Sequence, residues 1–314
     1  MKMSEMAENR PSLIRIYAIL MKPRVVLLLQ ATAVCGVLTY DLREGYDRGR
    51  DYMDSLWSCF IVLFGGSLAS GGSMAINMWY ERDLDPLMKR TENRPIPSGH
   101  ISPNHALGFG LTVCLLGIGV VTRLANTEAG LITAFSAFFY VCIYTMMLKR
   151  RTPQNIVIGG ISGSTPPLIG WAAASGDVYS VLPWLMVAVI FVWTPPHFWA
   201  LTLSKRRDYG QAGVPMLPVV KGEDVTRRHI MGYSILLTIV NLAMIVLGEL
   251  GLLFLIIGLT LTGYFVYRSW VLLNSKKEDD AWELFKYSNI YLYMLFITVI
   301  VDEMSYINLS QFLS

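Results

Sequence analysis

The chain has 314 residues and a formal net charge of +3; 54% of its residues are hydrophobic, only 16% are charged, and the mean hydropathy is +0.46. This composition lies far from that of a soluble domain, and the small net charge gives no reason to expect a nucleic-acid partner. Both features indicate a protein that sits in the lipid bilayer.

Nine apolar segments follow one another along the chain, each close to the roughly 20 residues that a helix needs to cross a bilayer. Their apolar residues run continuously instead of alternating with a period of two, which favours helices over a β-barrel. We therefore predict an all-α fold in which nine transmembrane helices surround an intramembrane cavity, with residues 1–314 forming one domain. The predicted spans are residues 16–40, 55–79, 105–123, 129–148, 155–174, 181–203, 231–248, 250–270 and 287–304.

The basic residues are distributed unequally between the two sides of these spans. The N-terminal segment and the even-numbered loops together hold 22 Lys and Arg residues, whereas the other loops hold four. Because positively charged loops stay in the cytoplasm, the N-terminus is predicted to be inside and the C-terminus outside. The expected location is the plasma membrane, crossed many times.

An ordered acidic motif follows the second span. Asn77, Glu81 and Asp85 recur at intervals of four residues, so on a helix they form one polar stripe. Oxygen-bearing side chains at a membrane boundary suit a hard cation such as Mg²⁺ or Mn²⁺, which combines carboxylates with phosphate oxygens and water. Pro86 is expected to end or bend the helix near Asp85, and Asp83 is expected to point elsewhere.

Cationic side chains come shortly after this motif. Arg90 and Arg94 could grip a phosphate group, because a guanidinium donates two parallel hydrogen bonds. Carboxylates, a metal and arginines together describe a diphosphate site, with Asn77, Glu81, Asp85, Arg90 and Arg94 as its catalytic residues. The alternative for the basic residues is an ordinary cytoplasmic loop whose charge only sets the topology.

The motif resembles the first acidic motif of the intramembrane aromatic prenyltransferases, in which Asn and two acidic residues at this spacing precede Arg-Thr and Arg-Pro. Three further strings resemble the branch of that family that farnesylates heme. They are residues 149–160 (KRRTPQNIVIGG), 194–200 (TPPHFWA) and 208–218 (DYGQAGVPMLP). The resemblance extends from Lys22 to about residue 235.

This resemblance implies an activity and its substrates. Farnesyl diphosphate would donate its farnesyl group to a vinyl group of protoheme IX (heme B), water would add, and heme O and diphosphate would leave. Mg²⁺ or Mn²⁺ would be the cofactor, and a downstream heme A synthase or terminal oxidase assembly would be a partner. Lys149 and Arg150 would bind substrate.

The segment after the sixth span departs from the family pattern, which has a second acidic motif there. In this chain Lys205 occupies the first acidic position, Asp208 lies one residue early and Tyr209 fills the last position. Lys205 and Arg206, with Asp208 and Tyr209, are therefore predicted to bind substrate, at either the diphosphate or the heme propionates.

His197 follows two prolines that are expected to interrupt or kink the sixth span and expose backbone groups to a cavity. An ionisable residue at such a break is a functional candidate that could ligate iron, donate to a propionate or accept a proton. Ordinary hydrogen-bonded packing is the alternative.

Two other functions are compatible with parts of the pattern. A prenyltransferase that acts on a quinone precursor or a lipid headgroup would share Asn77, Glu81 and Asp85. An ion-coupled transporter could use membrane carboxylates, but such sites lie near the bilayer midplane rather than at one face.

Overall fold

The computed structural model describes residues 11–206, 210 and 213–305. Within that part of the chain it is helical and contains nine segments long and apolar enough to cross a membrane, which confirms the predicted fold class. These spans are Pro23–Gly45, Tyr52–Tyr80, Pro103–Leu124, Thr127–Leu148, Asn155–Ser175, Val181–Ser204, Glu223–Val246, Phe254–Ser275 and Glu278–Ser305. Shorter helices are Leu13–Met21, Asp85–Leu87 and Leu217–Val220.

Several predicted span boundaries were wrong. The first predicted span is two helices, Leu13–Met21 and Pro23–Tyr40, separated by Lys22 in the left-handed backbone conformation with φ of 50°. Proline disfavours helical geometry in the residue before it, which accounts for the break. The seventh and ninth spans begin at Glu223 and Glu278, eight and nine residues earlier than predicted. Acidic residues fill both first turns, where the helix dipole favours negative charge.

Glycines allow the helices of the first half to approach closely. A Cβ atom added to Gly36 of the first span would lie 2.1 Å from the backbone oxygen of Pro167 in the fifth. One added to Gly72 of the second span would lie 2.4 Å from the backbone nitrogen of Cys114 in the third. Larger residues would therefore force these backbones apart. Small residues have this role in many membrane bundles, where packing rather than the hydrophobic effect drives association.

The sixth span is not interrupted at its double proline, although an interruption was one of the two expected effects of these residues. The helix Val181–Ser204 continues through Pro195 and Pro196. Membrane helices tolerate proline when neighbouring groups take over the lost hydrogen bonds. Here both prolines are buried in the bundle.

The fourth span changes helix type part of the way along. Its first part, Thr127–Phe138, is an α-helix, and Phe139–Leu148 is a π-helix of ten residues. π-Helices are rare and usually limited to one turn, and they are found mostly at functional sites. This segment forms one wall of the candidate active site.

Candidate active site

The acidic motif is assembled where the second span ends. Asn77 lies in the last turn of the helix, and Glu81 follows its final residue. The amide of Glu81 donates to the carbonyl of Asn77 at 3.0 Å, and that of Asp85 donates to Glu81 at 2.9 Å. These bonds keep the four-residue spacing after the helix has ended. All three side chains are buried.

Three cationic side chains from separate parts of the chain surround this motif. Lys22 donates to Asn77 Oδ1 at 2.9 Å, and Lys149 forms an ion pair with Glu81. Arg94 Nη1 lies 2.7 Å from Asp85 Oδ1 and 4.0 Å from Glu81 Oε2. We name Asn77, Glu81, Asp85 and these three cations the acidic cluster. The prediction placed Arg94 and Lys149 in the site but did not include Lys22.

Burial and charge act in opposite directions on the ionisable groups of the cluster. Burial lowers the pKa of Lys22 to about 7, with the nearby Arg94 adding to the effect. Burial alone would raise the pKa of Glu81, but Lys149, Lys22 and Arg94 together hold it below its ordinary value. Burial raises the pKa of Asp85 above its ordinary value, although Arg94 opposes the rise. The cluster is thus a partly neutralised set of charges shielded from water.

The oxygen atoms of the motif fit a hard divalent cation. Asp85 Oδ2 is buried and accepts no hydrogen bond, so it retains a lone pair for a ligand. Among the described residues no group of three or more His, Cys, Asp and Glu side chains is placed to hold a metal. The motif has two carboxylates and an amide, so phosphate oxygens and water would complete the shell, as is usual for Mg²⁺.

The π-helix of the fourth span brings Tyr140, Thr145 and Lys149 to the acidic cluster. Backbone hydrogen bonds in a π-helix join residues five apart, as when the Lys149 amide donates to the carbonyl of Tyr144. The Thr145 hydroxyl also donates to the carbonyl of Tyr140. Thr145 in turn accepts a hydrogen bond from Asn77 Nδ2 at 3.2 Å. In an α-helix the nine residues from Tyr140 to Lys149 make about two and a half turns, which would put the lysine on the opposite face.

An apolar cavity of about 280 Å³ opens beside the cluster and extends into the bundle. The first, second, fourth, fifth and sixth spans all contribute to its wall. Tyr140 and Tyr144 line it with their rings stacked at 5.6 Å between centroids. The predicted intramembrane cavity is therefore present in the described part of the chain, and it adjoins the charged groups.

Arg150 lies outside the acidic cluster. Its guanidinium forms two hydrogen bonds with the Asp83 carboxylate, at 2.7 and 2.8 Å, and lies 4.8 Å from the centre of the Tyr80 ring. The pairing lowers the pKa of Asp83, chiefly through the hydrogen bond. Asp83 thus points away from Glu81 and Asp85, as expected. Arg150 ties the fourth loop to the end of the second span.

The predicted basic residues Arg90, Lys205 and Arg206 line a second pocket, together with Lys89 and Glu223. Arg206 is paired with Glu223 at 2.8 Å. Lys205 Nζ lies 5.6 Å from the centre of the Trp282 ring at the start of the ninth span. Asp208 and Tyr209 lie outside the described residues. Arg90 therefore lines the same pocket as Lys205 and Arg206.

His197 lies between the sixth and ninth spans. Its ring stacks on Trp193, with centroids 4.1 Å apart, and lies 4.9 Å from Phe285. His197 Nδ1 is 2.6 Å from Ser288 Oγ, which is also 2.6 Å from the carbonyl oxygen of Phe285. We name Trp193, His197, Phe285 and Ser288 the histidine site. The adjacent residues Thr194 and Phe198 line the apolar cavity.

The hydrogen bonds of Ser288 determine where the imidazole proton lies. A serine hydroxyl has one proton, and both of its short contacts are hydrogen bonds only if that proton goes to the Phe285 carbonyl. His197 Nδ1 must then carry a hydrogen and donate to Ser288 Oγ. In this tautomer Nε2 has the free lone pair, as in a histidine that ligates a metal through Nε2.

Sequence comparison relates the chain to one protein family and to a set of curated proteins that share one name. A model of the UbiA prenyltransferase family matches residues 50–295. A protein of Granulibacter bethesdensis named protoheme IX farnesyltransferase is 42% identical over 293 residues, which cover 90% of this chain and 89% of that protein. A protein of the same name from Azorhizobium caulinodans is 42% identical over 296 residues, and 92% of each chain is covered.

Solved structures share the fold at low sequence identity. A structure from work on digeranylgeranylglyceryl phosphate synthase in membranes has a TM-score of 0.72 and 20% identity, and the match covers 93% of this chain and 99% of that one. A UbiA homolog from Archaeoglobus fulgidus, bound to DMAPP and Mg²⁺, has a TM-score of 0.65 and 16% identity, with the same coverage. These likenesses support the fold.

Proposed function

The chain belongs to the UbiA prenyltransferase family, and on that premise we propose that it transfers a farnesyl group from farnesyl diphosphate to a vinyl group of protoheme IX. Its curated relatives are named for this activity, and their alignments cover about 90% of the chain. The observation that carries the proposal is the acidic cluster next to an apolar cavity, with Lys149 Nζ 5.8 Å from the ring centre of the wall residue Tyr144. One region is suited to a diphosphate and the other to an isoprenoid.

The acidic cluster would hold the diphosphate end of the donor. Mg²⁺ or Mn²⁺ bound by Asn77, Glu81 and Asp85 would neutralise charge on the departing diphosphate. Lys22, Lys149 and Arg94 surround the same oxygens and can donate directly to phosphate. Preorganised charges act strongly in a site shielded from water, so this group stabilises the developing anion.

The cavity would hold the farnesyl chain and protect the reaction. When the bond between C1 and oxygen breaks, the electron pair leaves with diphosphate and C1 becomes an allylic cation. Tyr140 and Tyr144 can stabilise that cation through their ring faces. The vinyl group attacks C1, and water adds its hydroxyl to the resulting cation and loses a proton, which gives heme O. The apolar wall keeps other water from intercepting the allylic cation.

The histidine site would hold protoheme IX. The Nδ1 proton fixed by Ser288 leaves Nε2 as the atom that can ligate the heme iron. A partner on the second ring nitrogen is usual for metal-bound histidine, because it fixes the ring and raises its basicity. Lys205 and Arg206 of the basic pocket would meet the heme propionates, whose carboxylates suit charge-assisted hydrogen bonds.

The proposed orientation puts the acidic cluster at the cytoplasmic face of the plasma membrane. The 22 basic residues on one side of the spans support it. Cysteines introduced at positions 48 or 177 should react with an impermeant thiol reagent on intact cells. Those at 92 or 222 should react only after the membrane is opened. Labelling at 92 from outside would refute this orientation.

The function is tested in a host that makes only protoheme IX. Expression of the chain should yield a new heme whose mass exceeds that of heme B by one farnesyl group and one hydroxyl group. Purified protein should produce it only when Mg²⁺ or Mn²⁺ is present. A prenylated quinone or lipid in place of the prenylated heme would refute the assignment.

A heme A synthase or terminal oxidase assembly would take up the product.

A further inference from the structure

The cavity beside the acidic cluster ends at a defined depth. Lys22 and Asn77 are in contact at the start of the first span and the end of the second, three residues from the nearest wall residues of those helices, Val25 and Met74. The deepest wall residues on these two helices are Ala33 and Gly66, each eleven residues from Lys22 or Asn77. At about 1.5 Å per residue, the two helices independently put the floor about 16 Å from the acidic cluster, and this distance is the depth available to a chain that starts there.

The floor of the cavity is tightly packed. One helical turn beyond Ala33 and Gly66, Val37 and Val62 have no exposed surface and belong to a cluster that includes Ile169. Close beside this level the first and fifth spans touch through their backbones. A Cβ atom added to Gly170 would lie 1.8 Å from the carbonyl oxygen of Ala33. Helices in backbone contact cannot separate cheaply to admit a longer ligand.

The depth separates isoprenoids by their number of units. An extended chain gains about 1.2 Å per bond, one third of the rise of an extended peptide residue. On that scale farnesyl reaches about 14 Å from the diphosphate oxygen, whereas geranylgeranyl reaches about 19 Å. We propose that the floor formed by Ala33, Gly66 and Ile169 sets the donor length at three isoprene units. This inference rests on the proposed function, because it assigns the cavity to the prenyl chain.

The first test makes the cavity shallower. The Ala33→Leu variant adds three carbon atoms at the floor, where they would overlap the last isoprene unit of farnesyl. With protoheme IX as acceptor, its kcat/KM for farnesyl diphosphate should fall about tenfold or more, which is the range for a misfit in an apolar pocket. The kcat/KM for geranyl diphosphate should change by less than about twofold, since eight bonds span only about 10 Å.

The second test makes the cavity deeper and does not depend on the first. Ile169→Ala removes three carbon atoms from the floor and should raise kcat/KM for geranylgeranyl diphosphate about tenfold. Product masses from all three donors give the readout. Ile158→Ala is the matched control, because this residue of the same span is 39% exposed and lies outside the cavity wall. Its length preference should equal that of the unaltered protein.

Retention of the three radiolabelled diphosphates by heme-free protein separates this inference from the proposed function. A protein that binds farnesyl diphosphate best but never alkylates heme would refute only the function. If the protein makes heme O but Ile169→Ala does not change its preference for donor length, the floor does not determine that length. If Ala33→Leu lowers kcat/KM equally for all three donors, this variant does not support the floor as the determinant of donor length. The result for Ile169→Ala then decides between the two outcomes.

Discussion

The acidic cluster and the histidine site are built on opposite principles. The acidic cluster concentrates two carboxylates and three cations, drawn from Lys22, from residues 77–94 and from the end of the fourth span. The histidine site is aromatic, and its one ionisable group is an imidazole whose tautomer is fixed by a serine. Under the proposed function, charge compensation suits the departing diphosphate, whereas a single nitrogen atom among aromatic rings suits the iron of protoheme IX. The two regions should therefore fail separately when altered.

The largest expected effect concerns His197. His197→Ala should abolish heme O formation and weaken binding of protoheme IX while leaving the affinity for farnesyl diphosphate nearly unchanged, because no cation of the acidic cluster is altered. Heme absorbance titration and retention of radiolabelled diphosphate measure the two affinities separately. Equal heme affinity with normal turnover would reduce the histidine to packing. Loss of diphosphate affinity alone would place it beside the leaving group.

The acidic cluster should show the opposite selectivity. Asp85→Asn and Glu81→Gln should each lower kcat/KM about a hundredfold, or about 3 kcal/mol, because each removes a preorganised charge. Heme affinity should remain within about twofold of the unaltered protein, since the histidine site is untouched. Asp83→Asn is the matched control from the same loop. Its carboxylate is paired with Arg150 and is 60% exposed. We therefore expect kcat/KM to fall by no more than about threefold.

The sequence predicted most of the residues that form the acidic cluster, but not all of the backbone features that bring them together. The spacing of Asn77, Glu81 and Asp85 was sufficient to bring them together, because backbone hydrogen bonds preserve the interval of four residues beyond the helix end. Lys149 was predicted from resemblance alone. Its position depends on a π-helix, and no periodicity of side chains in the sequence indicates where hydrogen bonding changes from four to five residues.

Two other outcomes show which signals sequence analysis missed. Lys22 precedes a proline, and this pair marks a helix break that would have turned the lysine toward Asn77. The double proline of the sixth span does not interrupt the helix, which continues through it. The partner of His197 lies 91 residues away on the ninth span, and only tertiary packing reveals it.

Lys22 gives the third prediction, an intermediate loss confined to the diphosphate. Lys22→Met keeps the length and apolar stem of the side chain but removes its charge-assisted hydrogen bond, which is worth about 2 kcal/mol. The affinity for farnesyl diphosphate should fall about thirtyfold. Heme affinity should not change. Arg24→Met, two residues along on an exposed position, is the control and should bind the diphosphate normally.

The smallest effect is expected at Ser288, which acts only by positioning His197. Ser288→Ala leaves Nδ1 without its acceptor, so the ring can adopt either tautomer and Nε2 loses its fixed lone pair. Removing such a partner lowers metal affinity by about tenfold or more, so heme affinity should fall about tenfold. Ser288→Thr keeps the hydroxyl and should restore most of the heme affinity.

Ser269→Ala tests whether loss of any buried hydroxyl from this half of the bundle has the same effect. Ser269 is fully buried and bonds to Phe265 and Ser234, away from His197. This variant should leave heme affinity and the heme absorbance spectrum unchanged. A change in Ser288→Ala limited to thermal stability, with an unaltered heme spectrum and affinity, would show that the serine only joins two helices. A shifted spectrum in Ser288→Ala alone would place the iron on His197, because only an axial ligand transmits the loss of a distant hydroxyl to the porphyrin.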